Sequence, residues 1–169
     1  MKKIVSAIFS FIFLFSIHVN ATEKLSIEKQ LVGVVGAISG TVKTETRELK
    51  AGDQIYLNET IYAGPGSGTQ ILLLDQSTFT VGEDSEVVMD TFVFDPETND
   101  GKIVASVKQG SLKVISGLIS KKNPDSLTVE VPEGTLGSRG TEFQTIVSKG
   151  KTDTLLIGPG KNNTLGMRP

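Results

Sequence analysis

Apolar and polar residues alternate along most of the chain. Ile103, Ala105 and Val107 interleave with Val104, Ser106 and Lys108. Leu112 and Val114 interleave with Ser111 and Lys113, and Leu127, Val129 and Val131 with Thr128 and Glu130. A period of two puts each set on one face of a half-buried strand. Turn signals recur every 8 to 12 residues, at Lys50–Asp53, Gly64–Gly68, Asp75–Ser77, Gly82–Ser85, Asp95–Gly101, Lys121–Ser126 and Lys149–Lys151. This rhythm suits sandwiches, barrels and rolls. Between the turns the pattern predicts strands near 31–37, 40–46, 54–57, 60–63, 69–74, 77–81, 86–94, 102–109, 111–119, 127–131, 141–148 and 152–157. The unbroken apolar run Ile71–Leu74 predicts a strand buried on both faces. The one candidate helix is a short arm around Glu23–Gln30. The fold class is therefore all-β, a single hairpin-rich domain built as a β-roll, solenoid-like, or as a two-sheet sandwich.

The start of the chain has a different pattern. Lys2 and Lys3 precede a nearly unbroken apolar stretch from Ile4 to Ile17, and Val19-Asn-Ala21 presents small residues at the positions a signal peptidase reads. This is the pattern of a cleaved secretory leader, residues 1–21, to be left out of fold reasoning. The expected organisation is then an arm at 22–30, a β domain at 31–157 and a loose, Gly-, Pro- and Asn-rich tail at 158–169. The expected location is the periplasm or the exterior.

Composition changes the picture once the leader is subtracted. Of 169 residues, 148 remain, with 15 basic against 19 acidic side chains because two lysines leave with the leader. The single His, His18, leaves too, so the mature chain has no His, no Cys and no Trp. Nucleophile pairs of the Ser-His or Cys-His kind, thiolate or imidazole metal sites and disulfides are thereby excluded. Mild acidity argues against nucleic acid, and no second apolar stretch reaches the length of a membrane span. Val, Ile and Thr make up 41 of the 148 residues, and Gly another 18, which favours pleated strands and tight turns.

Few segments carry candidate chemistry. Asp95–Gly101 offers oxygen ligands, but the calcium-loop spacing fails: Asp100 sits where Gly is needed and Ser106 where Glu is needed. It reads as a solvated hairpin loop. Glu83, Asp84, Glu86 and Asp90 form an acidic cluster, but a carboxylate pair acting on a glycoside also needs a sugar cleft, and aromatics are scarce. The most distinctive segment is Gly134-Thr-Leu-Gly-Ser-Arg-Gly-Thr-Glu-Phe143. Its glycines, Gly134, Gly137 and Gly140, fall three apart, which fits neither a dinucleotide fingerprint nor a phosphate loop. They read as a crowded turn needing positive φ or close backbone approach. Arg139, Thr141 and Glu142 are its candidate binding residues, with a structural role as the competing reading. No catalytic residue, metal site or cofactor is expected. A faint echo links Ser39-Gly-Thr-Val-Lys-Thr44 with Gln109-Gly-Ser-Leu-Lys-Val114, one repetition where a solenoid needs three or more.

The order of these segments is itself informative. Gly33-Val-Val-Gly-Ala-Ile-Ser-Gly-Thr-Val42 is followed by Leu49-Lys-Ala-Gly-Asp53, Ile61-Tyr-Ala-Gly-Pro-Gly-Ser67 and Ile71-Leu-Leu-Leu-Asp75. Then come Gln109-Gly-Ser-Leu112, Val129-Glu-Val-Pro132 and Leu136-Gly-Ser-Arg-Gly-Thr-Glu-Phe143. From about Leu31 to Val147 the chain resembles a FecR domain. The resemblance implies an all-β periplasmic module of envelope signalling regulators, which pass a transporter's state through a membrane helix to a sigma-factor partner. This chain lacks that layout, so the link to iron transport is not carried over. The expected function is a non-catalytic binding or interaction module of the bacterial envelope, acting by strand pairing or as a scaffold on an envelope protein or cell-wall component. The alternatives are an accessory of a transporter/sigma-factor system and a peptidoglycan- or carbohydrate-binding module.

Overall fold

The protein is described by a computed structural model covering residues 29–138, 142–158 and, for the backbone, 165–168. The chain forms β1 (Leu31–Ser39), β2 (Val42–Lys43), β3 (Gln54–Tyr56), β4 (Thr60–Ala63), β5 (Gly68–Leu73), β6 (Thr78–Val81), β7 (Ser85–Phe94) and β8 (Gly101–Ile115). After a short helix α1 (Leu118–Lys122) come β9 (Leu127–Val131), β10 (Gly134–Ser138), β11 (Glu142–Ser148), β12 (Lys151–Leu156) and β13 (Leu165–Arg168). The all-β expectation holds.

The strands form two sheets that share β8. Sheet A runs β3-β1-β5-β6-β8-β11-β12, and sheet B runs β2-β4-β7-β8-β9-β10-β13. All pairings are antiparallel except β8 with β9. The first part of β8, Gly101–Gln109, pairs with β7, and the part from Gly110 to Ile115 pairs with β6 and β11. Between the sheets lies one hydrophobic core, which includes Val32, Ile71, Phe79, Leu112 and Phe143 from sheet A and Ile61, Phe92, Ile103, Val129 and Leu136 from sheet B.

β8 turns from sheet B into sheet A at Gly110, which has φ +81°. A left-handed backbone there favours glycine. A Cβ at Gly110 would also sit 2.6 Å from Ser85 Cβ, at the start of β7. The Ser85 hydroxyl accepts from Ser111 N–H at 2.8 Å, with its own proton directed at the Glu83 carbonyl, 3.1 Å, or the Ser111 carbonyl, 3.3 Å. The chain's other stapled glycine has the same chemistry. Gly40, φ +68°, lies where β1 leaves sheet A for β2, Thr41 N–H donates to Ser67 Oγ at 2.9 Å, and Ser67 Oγ donates to the Pro65 carbonyl at 3.2 Å. The echo between residues 39–44 and 109–114 is thus a repeated corner: glycine, then a residue whose amide is held by a serine hydroxyl of the neighbouring turn. Backbone bonds from Gly64 N–H to Thr41 O, Asp84 N–H to Gly64 O and Gly82 N–H to Ser111 O join the corners into a ridge.

The opposite end is closed by a buried polar knot. The Asp75 carboxylate accepts from Ser77 N–H at 3.0 Å and from the Ser77 hydroxyl at 2.8 Å, and its carbonyl accepts from Leu118 N–H at 2.8 Å. Gly117 N–H donates to Ser77 Oγ at 2.9 Å. These bonds satisfy polar groups that would be costly to bury unpaired, and they anchor the connection carrying α1 and Pro124–Ser126 across to β9.

Several expectations need correction. Ile71–Leu74 is not buried on both faces: Ile71 and Leu73 point into the core, whereas Leu72 and Leu74 are 42% and 47% exposed, because sheet A is covered on one side only. The strand expected at 111–119 is the end of β8, and residues 118–122 are helical. Gly134 and Gly137 lie in a strand, β10, rather than in a crowded turn. The turn precedes them at Pro132–Glu133, and a Cβ at Gly137 would meet nothing within 4 Å. Within the expected loose tail, Leu165–Arg168 pairs with β10. Gly140, the expected leader and most of the expected arm lie outside the described residues, and Lys29 and Gln30 are not helical.

Ser85→Ala leaves the Ser111 amide without its partner and is expected to cost about 1–3 kcal/mol. Gly110→Ala adds a forbidden φ and a clash, and is expected to cost more than the ~1 kcal/mol typical of Gly/Ala exchange. Urea denaturation followed by circular dichroism measures both. Midpoints equal to the parent's would show that the corner does not hold the sheets.

Candidate functional site

The sequence candidates divide into two groups. Arg139 and Thr141 lie outside the described residues. Glu142 is the first residue of β11, where its carboxylate pairs with Lys113 Nζ at 2.6 Å and its carbonyl accepts from Ile157 N–H at 2.8 Å and Gly158 N–H at 3.3 Å. It thus fastens the end of the β12 segment to β11.

The acidic segments are engaged locally. Asp95 caps its own loop, accepting from Glu97 N–H at 2.9 Å and the Thr98 hydroxyl at 2.8 Å. The Thr98 hydroxyl, followed by the Glu97 amide, holds the Asp95 carboxyl below its ordinary pKa. Lys122 Nζ pairs with Asp100 at 2.8 Å and donates to the Thr98 carbonyl at 2.7 Å. Glu83 accepts from Gly66 N–H at 2.9 Å, and Asp90 accepts from the Ser106 hydroxyl at 2.6 Å. No group of three or more His, Cys, Asp or Glu among the described residues is placed to hold a metal ion.

What the structure brings together is aliphatic. Residues directly opposite each other in an antiparallel ladder share a face. Following the register across sheet A gives one row: Val34, Leu72, Thr78, Ile115 and Glu142, extended to Ile157 by its amide bond to Glu142. Leu72, Ile115 and Ile157 are each about 40% exposed. Gly36 makes room for this row, since a Cβ there would press on the Leu72 side chain at 3.1 Å. The adjacent row is Gln70, Thr80, Lys113, Gln144 and Leu155, with Leu155 64% exposed. The Lys113–Glu142 pair bridges the two rows and cancels their charge locally.

At its β5 end the row adjoins Leu74, which lines an apolar groove of about 360 Å³ with Gln30, Leu31, Phe92, Phe94 and Pro96. The Phe92 and Phe94 rings stand 6.5 Å apart and tilted by 58°, a favourable aromatic geometry. Gln30 Nε2 donates to the Phe92 carbonyl at 2.5 Å and fixes the groove wall. A second, more polar pocket of about 520 Å³ opens at the glycine corner between Glu83, Asp84, Gln109 and Lys149.

Sequence reasoning missed the outer face because Leu72 and Leu74 belong to an unbroken apolar run. Ile115 and Leu155 carried a usable signal, since each falls on the polar register of its own strand.

Compared with known families, residues 59–157 match FecR protein, beginning and ending later than the span read from the motifs. No curated protein and no solved structure matches the chain. No helix among the described residues is long and apolar enough to cross a membrane.

Thr98→Ala is expected to raise the Asp95 pKa toward the ordinary carboxylate value, read by NMR titration. The stabilisation from this loop is present above that ordinary value and is lost as pH falls through the lowered one. An Asp95 titration identical in the variant and the parent would remove the hydroxyl as the cause.

Proposed function

The chain belongs to the FecR family, and from that premise we propose that it is a non-catalytic interaction module of the bacterial envelope. FecR domains are known from envelope signalling regulators, a regulatory rather than an enzymatic family. The chain is thus a signalling-related module. The absence of His and Cys after the leader supports a binding role, as does the leader itself for a periplasmic one.

The observation that carries the reading is the outer face of sheet A. Leu72, Ile115 and Ile157 come from distant parts of the sequence but fall in one cross-strand row, alternating with Thr78 and Glu142, with Leu155 in the row beside it and Leu74 leading to the Phe92–Phe94 groove. Exposed aliphatics gathered on one face are a mark of interaction sites, and here they are interleaved with Thr78 and Glu142. Full burial of an exposed aliphatic side chain is worth about 1.5–3 kcal/mol; these are 40–64% exposed, so each contributes roughly half of that on docking. The partner this face suits is an apolar protein surface without strong net charge, because the charges named on it balance, Lys113 with Glu142 and Lys151 with Asp153. This chemistry favours an envelope protein over a peptidoglycan glycan, which stacks on exposed aromatic rings.

A role beside a transporter/sigma-factor system is the second reading, favoured by family membership alone. A sigma-factor or receptor gene next to this one would support it.

A photo-crosslinking residue at position 72, expressed in the native cell, is expected to trap an envelope protein. Ile115→Asp with Leu155→Asp, in the chain that carries the crosslinker at position 72, should abolish capture while leaving the far-UV circular dichroism unchanged. Crosslinks that survive the double substitution would place the partner elsewhere and overturn the assignment of this face.

A further inference from the structure

β12 is the last strand of sheet A, and among the described residues it pairs with β11 alone. Ser148 and Lys151 close a hairpin through only two residues, Lys149 at φ +49° and Gly150 at φ +73°. Two positive φ values define a type I′ turn, whose twist matches that of the strands it joins. In such a hairpin the closing residues exchange backbone hydrogen bonds. The alternation of the ladder then commits the N–H and C=O groups of Lys151, Asp153 and Leu155 to β11. Those of Thr152, Thr154 and Leu156 point to the open edge.

The side chains along this edge alternate in a particular way. Lys151, Asp153 and Leu155 lie exposed on the outer face of sheet A. A lysine on an edge strand deters a foreign apolar strand. Asp153, two residues further along the same face, converts that deterrent into a match for one particular partner. When β12 pairs antiparallel with an identical strand centred on Thr152, Lys151 stands opposite Asp153 of the copy, and Asp153 opposite Lys151. Both contacts are non-hydrogen-bonded pairs, the kind that brings side chains closest. Thr152 meets its own copy, and the two exchange N–H and C=O. Thr154 then falls opposite Gly150 of the copy's turn, so the contact rests on the Thr152 pair and the two charge pairs. Centring on Thr154 would pair more of the backbone, Thr152 then meeting Leu156, but would oppose Asp153 to Leu155 and leave the charges unmatched.

The geometry points to a homodimer in which β12 of one copy adds to β12 of a second, joining two sheets A across a twofold axis. A twofold interface requires a self-complementary patch, and the Lys151–Asp153 spacing supplies one. The two apolar outer faces then lie side by side on one continuous sheet, so that a partner with two sites is held more tightly than by a single copy. The inference does not depend on the partner's identity: a dimer with no crosslink at position 72 would leave it standing.

Sedimentation velocity of the mature chain over a concentration series tests it. The parent is expected to show reversible monomer–dimer exchange. Lys151→Asp and Asp153→Lys should each be monomeric alone. They should form a heterodimer when mixed, and the double variant carrying both should dimerise again. Thr152→Pro removes an edge N–H that β11 does not use, so it should be monomeric with an unchanged circular dichroism spectrum. A parent that stays monomeric at every concentration overturns the proposal. So does a dimer that persists in the single charge variants.

Discussion

The bend in β8 is the constraint on which the rest of the structure depends. One strand belongs to both sheets, and it can do so only because residue 110 has no side chain and takes a left-handed backbone. Its first half carries β7 and β9, and its second half carries β6 and β11. Straightening it would separate Ile103 and Ala105 on one half from Leu112 and Val114 on the other, and these now line a common core. Ser85 holds the bend by accepting from the amide just beyond it. The same arrangement at Gly40 and Ser67 shows that this fold turns corners in one way, with glycine for the backbone and serine for the freed amide.

Folding two sheets onto one core has a consequence for the surface. A sheet packed on one side must leave its other face to solvent. Threonine, glutamine and a Lys–Glu pair cover much of that face on sheet A, but Leu72, Ile115, Leu155 and Ile157 do not. Their alignment comes from register alone, since Leu72 and Ile115 belong to strands separated by β6. The same two-sheet plan leaves sheet A with an outer strand, β12, whose hairpin turn fixes which of its backbone groups remain unpaired. Surface chemistry and edge chemistry are therefore both by-products of the pairing order.

Legibility in the sequence followed the range of the interactions. Strands with strict alternation, such as Leu127–Val131, were readable because the pleat imposes a period of two, whereas Ile103–Val107 is buried on both faces. The turns at Asp75–Ser77 and Asp95–Gly101 were readable because short polar side chains cap their own backbone, as Asp75 and Asp95 do, and the turn at Lys149–Lys151 because Gly150 suits a positive φ. β10 was missed because Gly134 and Gly137 mimic a turn, although tertiary pairing with β9 and β13 holds them extended. The Leu165–Arg168 strand was missed for a related reason: a short segment with one apolar pair becomes a strand only when a partner edge is present. Glu142, a candidate binding residue by its motif, fastens strand ends together through Lys113 and the amides of Ile157 and Gly158.

The sequence alone determined the chemistry available to this protein. Without Cys, with no His beyond His18, and with β-branched residues and glycine in excess, it specifies a strand-rich module of the FecR family with turns at defined places. The tertiary structure decided which leucines and isoleucines remain exposed, because burial of Leu72 or Ile115 depends on whether a second layer covers that face. It also decided what the repeated Gly-Thr/Ser step is for. That answer required Ser67 and Ser85, each 26 residues from the amide it holds, and local sequence carries no information about a partner so distant.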